Sequence, residues 1–139
     1  MQNAQPAPVL TPNQVRASWA AQVVAAVILG QTLFFKFSGA PEAVALFTKL
    51  GVEPFGRIGL GIVELIGVVL LLVPRTAAFG GALTLGLMVG AVGSHLGPLG
   101  IEVEGDGGAL FAMAVITLAA GALITWLRRH TLLRFVPGR

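Results

Sequence analysis

The sequence predicts an all-α membrane protein, a bundle of four transmembrane helices with a short interfacial helix between the first and second spans. Three observations carry the prediction. Apolar residues make up 55% of the 139-residue chain and charged residues 11%, less than half of the roughly 25% usual in soluble domains. The apolar residues fall in four long blocks, each near the ~20 residues that a helix needs to cross a bilayer. The nine Lys and Arg residues lie around the ends of these blocks instead of forming a run, which makes them orientation signals.

The elements follow in order. Residues 1–15 begin MQNAQPAPVLTPNQ, with three prolines and no charged side chain, and read as a flexible cytoplasmic tail. Residues 16–128 form a single four-helix transmembrane domain. Its first span runs from about Ala17 to Phe37, with Trp19 at the depth where an interfacial indole belongs. Ser38-Gly39-Ala40 has some likeness to a signal-peptide cleavage site. The apolar stretch is longer than a signal peptide's and three more spans follow, which favours a retained helix.

Pro41 to Leu50 (PEAVALFTKL) places Val44, Leu46, Phe47 and Leu50 at roughly helical spacing, with proline suited to the first turn. This segment is too short to span and is expected at the membrane surface. The second span, Phe55 to Val73, ends at a Pro74-Arg75 turn, so the third, Thr76 to Leu96, runs antiparallel beside it. The third span carries Gly86, Gly90, Gly93 and Gly97, spaced 4, 3 and 4. They share one helix face and are expected to let another helix approach closely. An acidic loop, GPLGIEVEGDGG, leads to the fourth span, Ala109 to Leu127. Asp106 precedes that span as its candidate cap. Residues 129–139 read as a basic cytoplasmic tail.

Arg16, Arg75, Arg128, Arg129, Arg134 and Arg139 fall on one side of this topology, and Lys36, Lys49 and Arg57 on the other. The six-to-three imbalance predicts both termini in the cytoplasm. No K/R-rich run with interleaved aromatics occurs, which argues against nucleic acid as a partner. The expected partners are the lipid bilayer and a further protein or a second copy of the chain.

Glu64, near the centre of the second span, dominates the chemistry. A carboxylate at that depth is costly and normally faces the bundle interior with a partner or a task. It is either a structural ion pair, a hydrogen-bonded neutral acid, or a binding and proton-handling group. Arg57 lies on the same face seven residues earlier, about 10 Å along the axis, so it reaches Glu64 only with both side chains extended or through water. Lys36 and His95 are equally good partners from neighbouring helices. Arg57, unfavourable at a helix N-terminus, calls for Glu53, Glu64 or an anionic ligand. Lys36 also reads as a snorkelling anchor, His95 as a satisfied interfacial histidine, and Phe34, Phe35 and Phe37 as lipid-facing or core residues. Gln31, Lys36, Arg57, Glu64, His95 and Asp106 all fall toward one side of the membrane, and Gln22 is the deep exception.

The absence of cysteine removes disulfides, thiol nucleophiles and Cys-ligated clusters. Haem ligation by two histidines of one chain is disfavoured, because His95 and His130 lie at opposite ends of the membrane, some 30 Å apart. No GxxxxGK[ST], HExxH or GxSxG motif occurs. Neither haem nor metal is expected. A quinone head group fits what remains: an apolar slot, donors for its carbonyls from Lys36 and His95, and Glu64 for protons. The same group of residues also suits a small anion or a lipid head group.

The segments GQTLFFKFSG, GRIGLGIVELIGVVLLLVPR and GSHLGPLGIEVEGDGG resemble, in order and spacing, the DoxX-like family of membrane proteins. The likeness covers nearly all of residues 16–128. It implies a four-helix bundle and a link to thiosulfate:quinone oxidoreductase systems with a redox partner. It also places Lys36, Arg57 and Glu64 at the family's polar positions. Two other classes stand beside a quinone-binding subunit. One is a structural or assembly subunit docked through the glycine face and acidic loop. The other is a small-solute or proton-coupled transporter, disfavoured by the lack of an inverted repeat.

Overall fold

The computed structural model describes Pro6 and residues 8–138, and among these all regular structure is helical. Six helices follow one another: α1 (Pro12–Ser38), α2 (Pro41–Lys49), α3 (Phe55–Leu72), α4 (Ala77–Leu96), α5 (Ala109–Leu127) and α6 (Arg129–Leu133). Four of them, α1, α3, α4 and α5, are long and apolar enough to cross a membrane, so the chain is a multi-pass integral membrane protein.

Helix α1 starts at Pro12, inside the stretch expected to be a tail. Thr11 explains the earlier start. Its hydroxyl accepts from the Gln14 amide (3.2 Å), and the Gln14 side chain accepts from the Thr11 amide (2.9 Å). This reciprocal box satisfies two otherwise orphaned donors, and Pro12 supplies the first helical φ. Residues 1–5 and 7 of the expected tail lie outside the described residues. At 27 residues α1 is about 40 Å long, so its first turns extend beyond a ~30 Å hydrocarbon core. It ends at Gly39, whose φ of 66° closes the helix in the left-handed conformation that glycine adopts without penalty. The expected C-terminal tail is partly ordered: α6 forms one short helix, and the Phe135 ring beyond it meets Phe79 of α4 at 5.4 Å.

The spans form a ring in the order α1, α3, α4, α5. Each packs on its two ring neighbours, α1 barely touches α4 across the ring, and α3 and α5 do not meet. Helix faces follow an inside-out pattern. The interior face of α3 is Arg57, Gly61, Glu64, Gly67 and Leu71, while Ile62, Ile66 and Val69 are exposed on its outside. Apolar residues facing outward cost nothing against lipid, which is as apolar as they are.

Small residues hold the end of the bundle that carries both termini. An added Cβ at Gly80 would lie 2.6 Å from the Leu71 nitrogen, and one at Gly121 would lie 2.9 Å from the Leu85 nitrogen. These glycines seat α4 on α3 and α5 on α4, helped by Gly81 against Ile124. Ala21, Ala25, Leu71 and Ile124 complete the core there. The predicted Gly86–Gly97 stripe plays no such part within the chain. A Cβ at Gly86, Gly90 or Gly93 would meet nothing within 4 Å, and one at Gly97 only carbonyls of its own helix end. The reason is the ring: this face has no helix of the chain laid against it.

Candidate functional site

The diagonal gap between helices opens into a cavity of about 700 Å³ in the half of the bundle away from the termini. That volume falls within the range of small-molecule sites. Leu29, Met88, Ala114 and Thr117 line its deep end. Gly86 and Gly90 widen it, because neither projects a side chain. Helix α2 and the α4–α5 loop cover the other end through Phe47, Leu99 and Val103, all of which are buried. Lys49 Nζ ties this cover together by donating to the Leu99 carbonyl at 3.2 Å.

Three polar side chains of the cavity lining, Thr32, Lys36 and Glu64, lie together. Lys36, in the last turn of α1, places Nζ 2.8 Å from Glu64 Oε2 on α3, and the two side chains are 12% and 5% exposed. Burial at this level makes the pair mutually dependent, since either charge alone would be poorly solvated. Thr32, one turn before Lys36 on the same face, donates to the Leu29 carbonyl (2.9 Å) and lies 3.4 Å from the same Glu64 oxygen. The ion-pair reading of Glu64 therefore describes its geometry, with Lys36 as the partner.

Arg57 does not reach Glu64 and does not line the cavity. Its Nε donates to both Glu53 oxygens (2.9 and 3.0 Å), Nη2 lies 2.9 Å from Oε1, and Nη1 donates to the Lys36 backbone carbonyl. The guanidinium fork is thus filled by a carboxylate one turn earlier and by the end of α1. Arg57 fixes the backbone that carries the Lys36 ammonium.

His95 lines the cavity from α4 and is buried. Its Nδ1–H donates to the Gly100 carbonyl at 2.9 Å, and its ring lies edge-on to Phe111 at 5.7 Å. The carbonyl partner requires a proton on Nδ1, so in the neutral ring Nε2 is the acceptor. Asp106 caps α5. Its Oδ1 accepts from the Val103 and Gly108 amides (3.0 and 2.8 Å), and Oδ2 accepts from Leu110 (2.9 Å). The Leu110 amide leads in holding this carboxyl below its ordinary value, followed by the Val103 amide.

Sequence reasoning missed Thr32, although its i,i+4 relation to Lys36 could have revealed it. It also missed the roles of Lys49 and Leu99, which no local pattern marks. A second buried polar group lies at the termini end. Ser18 Oγ donates to Gln22 Oε1 (2.6 Å), Gln22 Nε2 donates to the Leu71 carbonyl (2.6 Å), and Arg128 Nε donates to Ser18 Oγ (2.8 Å). Gln22, the deep exception in the sequence, belongs to this group.

No curated protein and no solved structure matches the chain. A family model does, over residues 20–122, a stretch that runs from the first span to near the end of the fourth and includes Lys36, Arg57, Glu64 and His95. On that match, the chain belongs to the DoxX-like family.

Proposed function

We propose that this protein binds a quinone or a related apolar ligand in the cavity and works alongside a redox partner, in a system like the thiosulfate:quinone oxidoreductases. The observation that carries the reading is an apolar-walled cavity of about 700 Å³ with Lys36, Glu64 and His95 at its lining. Such a site combines an apolar slot with a few fixed polar groups, the usual composition of a small-molecule pocket. The Lys36 ammonium is a donor for a ligand carbonyl. His95 Nε2 is an acceptor while neutral and a donor once protonated. Glu64 holds Lys36 in place and is the buried group able to take up or pass on a proton. A bound quinone supplies two-electron, two-proton carrier chemistry, while sulfur chemistry belongs to the partner.

The charge of the lining favours a neutral ligand. Lys36 is already paired with Glu64, and Glu42, Glu104 and Asp106 add further carboxylates toward the covered end. A small anion would meet net negative charge there. The six-to-three distribution of basic residues supports an orientation with both termini in the cytoplasm of a bacterial inner membrane.

The test is a quinone titration of the purified chain, read by native mass spectrometry. Gly90→Leu projects a side chain into the cavity from a position with no neighbour within 4 Å. It should leave the fold intact and weaken binding at least about tenfold. Glu64→Gln should weaken binding and abolish quinone-linked activity at normal membrane abundance. Unchanged binding in both variants defeats the proposal. The assembly reading draws on Gly93, which is exposed, lies outside the cavity lining and faces no helix of the chain. On that reading, Gly93→Leu disrupts a native complex without altering ligand affinity.

A further inference from the structure

Among the described residues, the termini end of the bundle contains a cation without a counter-charge. All six Asp and Glu side chains fall between Glu42 and Asp106, in the middle of α3 or toward the covered end of the cavity. The termini end carries Arg16, Arg75, Arg128, Arg129 and Arg134. Four of these are exposed, but Arg128 is half-buried, and burial lowers its pKa. Its protein partners are neutral: Nε donates to Ser18 Oγ and Nη2 to Gln22 Oε1 (3.3 Å). Ser18 and Gln22 are fully buried, so the guanidinium is held at a fixed place against the end of α1. Nη1 has no acceptor among the described residues. The C-terminal ends of α3 and α5 offer partial negative charge at this level, too little to neutralise a full cation.

The position also matches a particular depth. Arg128 directly follows the apolar run of α5, and Trp126, two residues earlier, is exposed with the Arg129 guanidinium 4.9 Å above its ring. Exposed indole and arginine together mark the head-group level of a bilayer.

We propose that Arg128, oriented by Ser18 and Gln22, is a binding site for a phosphate oxyanion at the head-group level, carried by an anionic phospholipid or present as free phosphate. The open Nη1 edge supplies the charge-assisted hydrogen bonds. This site is separate from the ligand cavity and does not depend on it.

The test titrates the detergent-purified full chain with phosphatidylglycerol, phosphatidylcholine and inorganic phosphate, again by native mass spectrometry. Phosphatidylglycerol should bind about fivefold or more tighter than phosphatidylcholine, the factor expected of one basic residue at an anionic surface. Arg128→Gln should remove that preference and Arg128→Lys should keep part of it, while Arg134→Gln leaves it intact. Competition by millimolar inorganic phosphate supports the site with a free anion as a source, and its absence supports the lipid. Equal affinity of the wild type for the two lipids overturns the proposal, even if Arg128→Gln does not fold. So does an Arg134→Gln loss as large as that of Arg128→Gln, which would mean diffuse attraction.

Discussion

At the scale of single residues, the Lys36–Glu64 pair and Asp106 make contrasting electrostatic predictions. Lys36 and Glu64 are buried together at 2.8 Å, so removing one strands the other. Lys36→Met and Glu64→Leu should each cost about 3–5 kcal/mol, while the double variant recovers most of that loss. Denaturation of the four proteins in one detergent checks this, and additive losses would mean that the two charges are not coupled. Asp106 works by hydrogen bonds to three backbone amides. Its folded pKa lies below the ordinary 3.8, so its contribution is present above that value and disappears as pH falls through the depressed one. Asp106→Ala should lower stability at neutral pH by about 1 kcal/mol, the usual worth of a cap. Melting curves of the two proteins should converge in acid below 3.8.

At the scale of helices, identical residues in one element do opposite things. Gly80 and Gly86 are both on α4, one meeting the Leu71 backbone at 2.6 Å from an added Cβ and the other meeting nothing within 4 Å. Gly80→Ala should push α3 and α4 apart and cost about 1–3 kcal/mol. Gly86→Ala should be neutral, or stabilising by up to about 1 kcal/mol through helix propensity. Thermal melts of the two variants decide it. Sequence spacing sets Gly86, Gly90 and Gly93 on one face by helical periodicity alone, whereas Gly97 lies past the end of α4 as its C-cap. Whether a neighbour covers that face depends on helix rotation and ring order, which periodicity does not encode. Span limits were legible for a related reason. Apolar blocks and the Ser38–Pro41 and Pro74–Arg75 breaks fix them within a few residues, and only the Thr11–Gln14 cap moved a boundary appreciably.

At the scale of the molecule, the two halves differ in packing and in charge. The termini half is closed by small residues and bears arginines, and the other half is hollow and holds most of the carboxylates. The sequence showed that polar groups gather on one side of the membrane. It left Arg57, Lys36 and His95 as rival partners for Glu64, because tertiary placement makes that choice. The Arg128 cluster was less legible still. Its members stand 106 and 110 positions apart in the chain, and only the lone buried-depth Gln22 pointed toward it. The indoles follow the same division. Trp19 and Trp126, the two tryptophans of a chain without tyrosine, both sit near the termini end. Intrinsic fluorescence therefore reports from one pole of the molecule: an emission shift registers events around Arg128, whereas a quencher lodged between Lys36 and His95 dims the signal only across a distance.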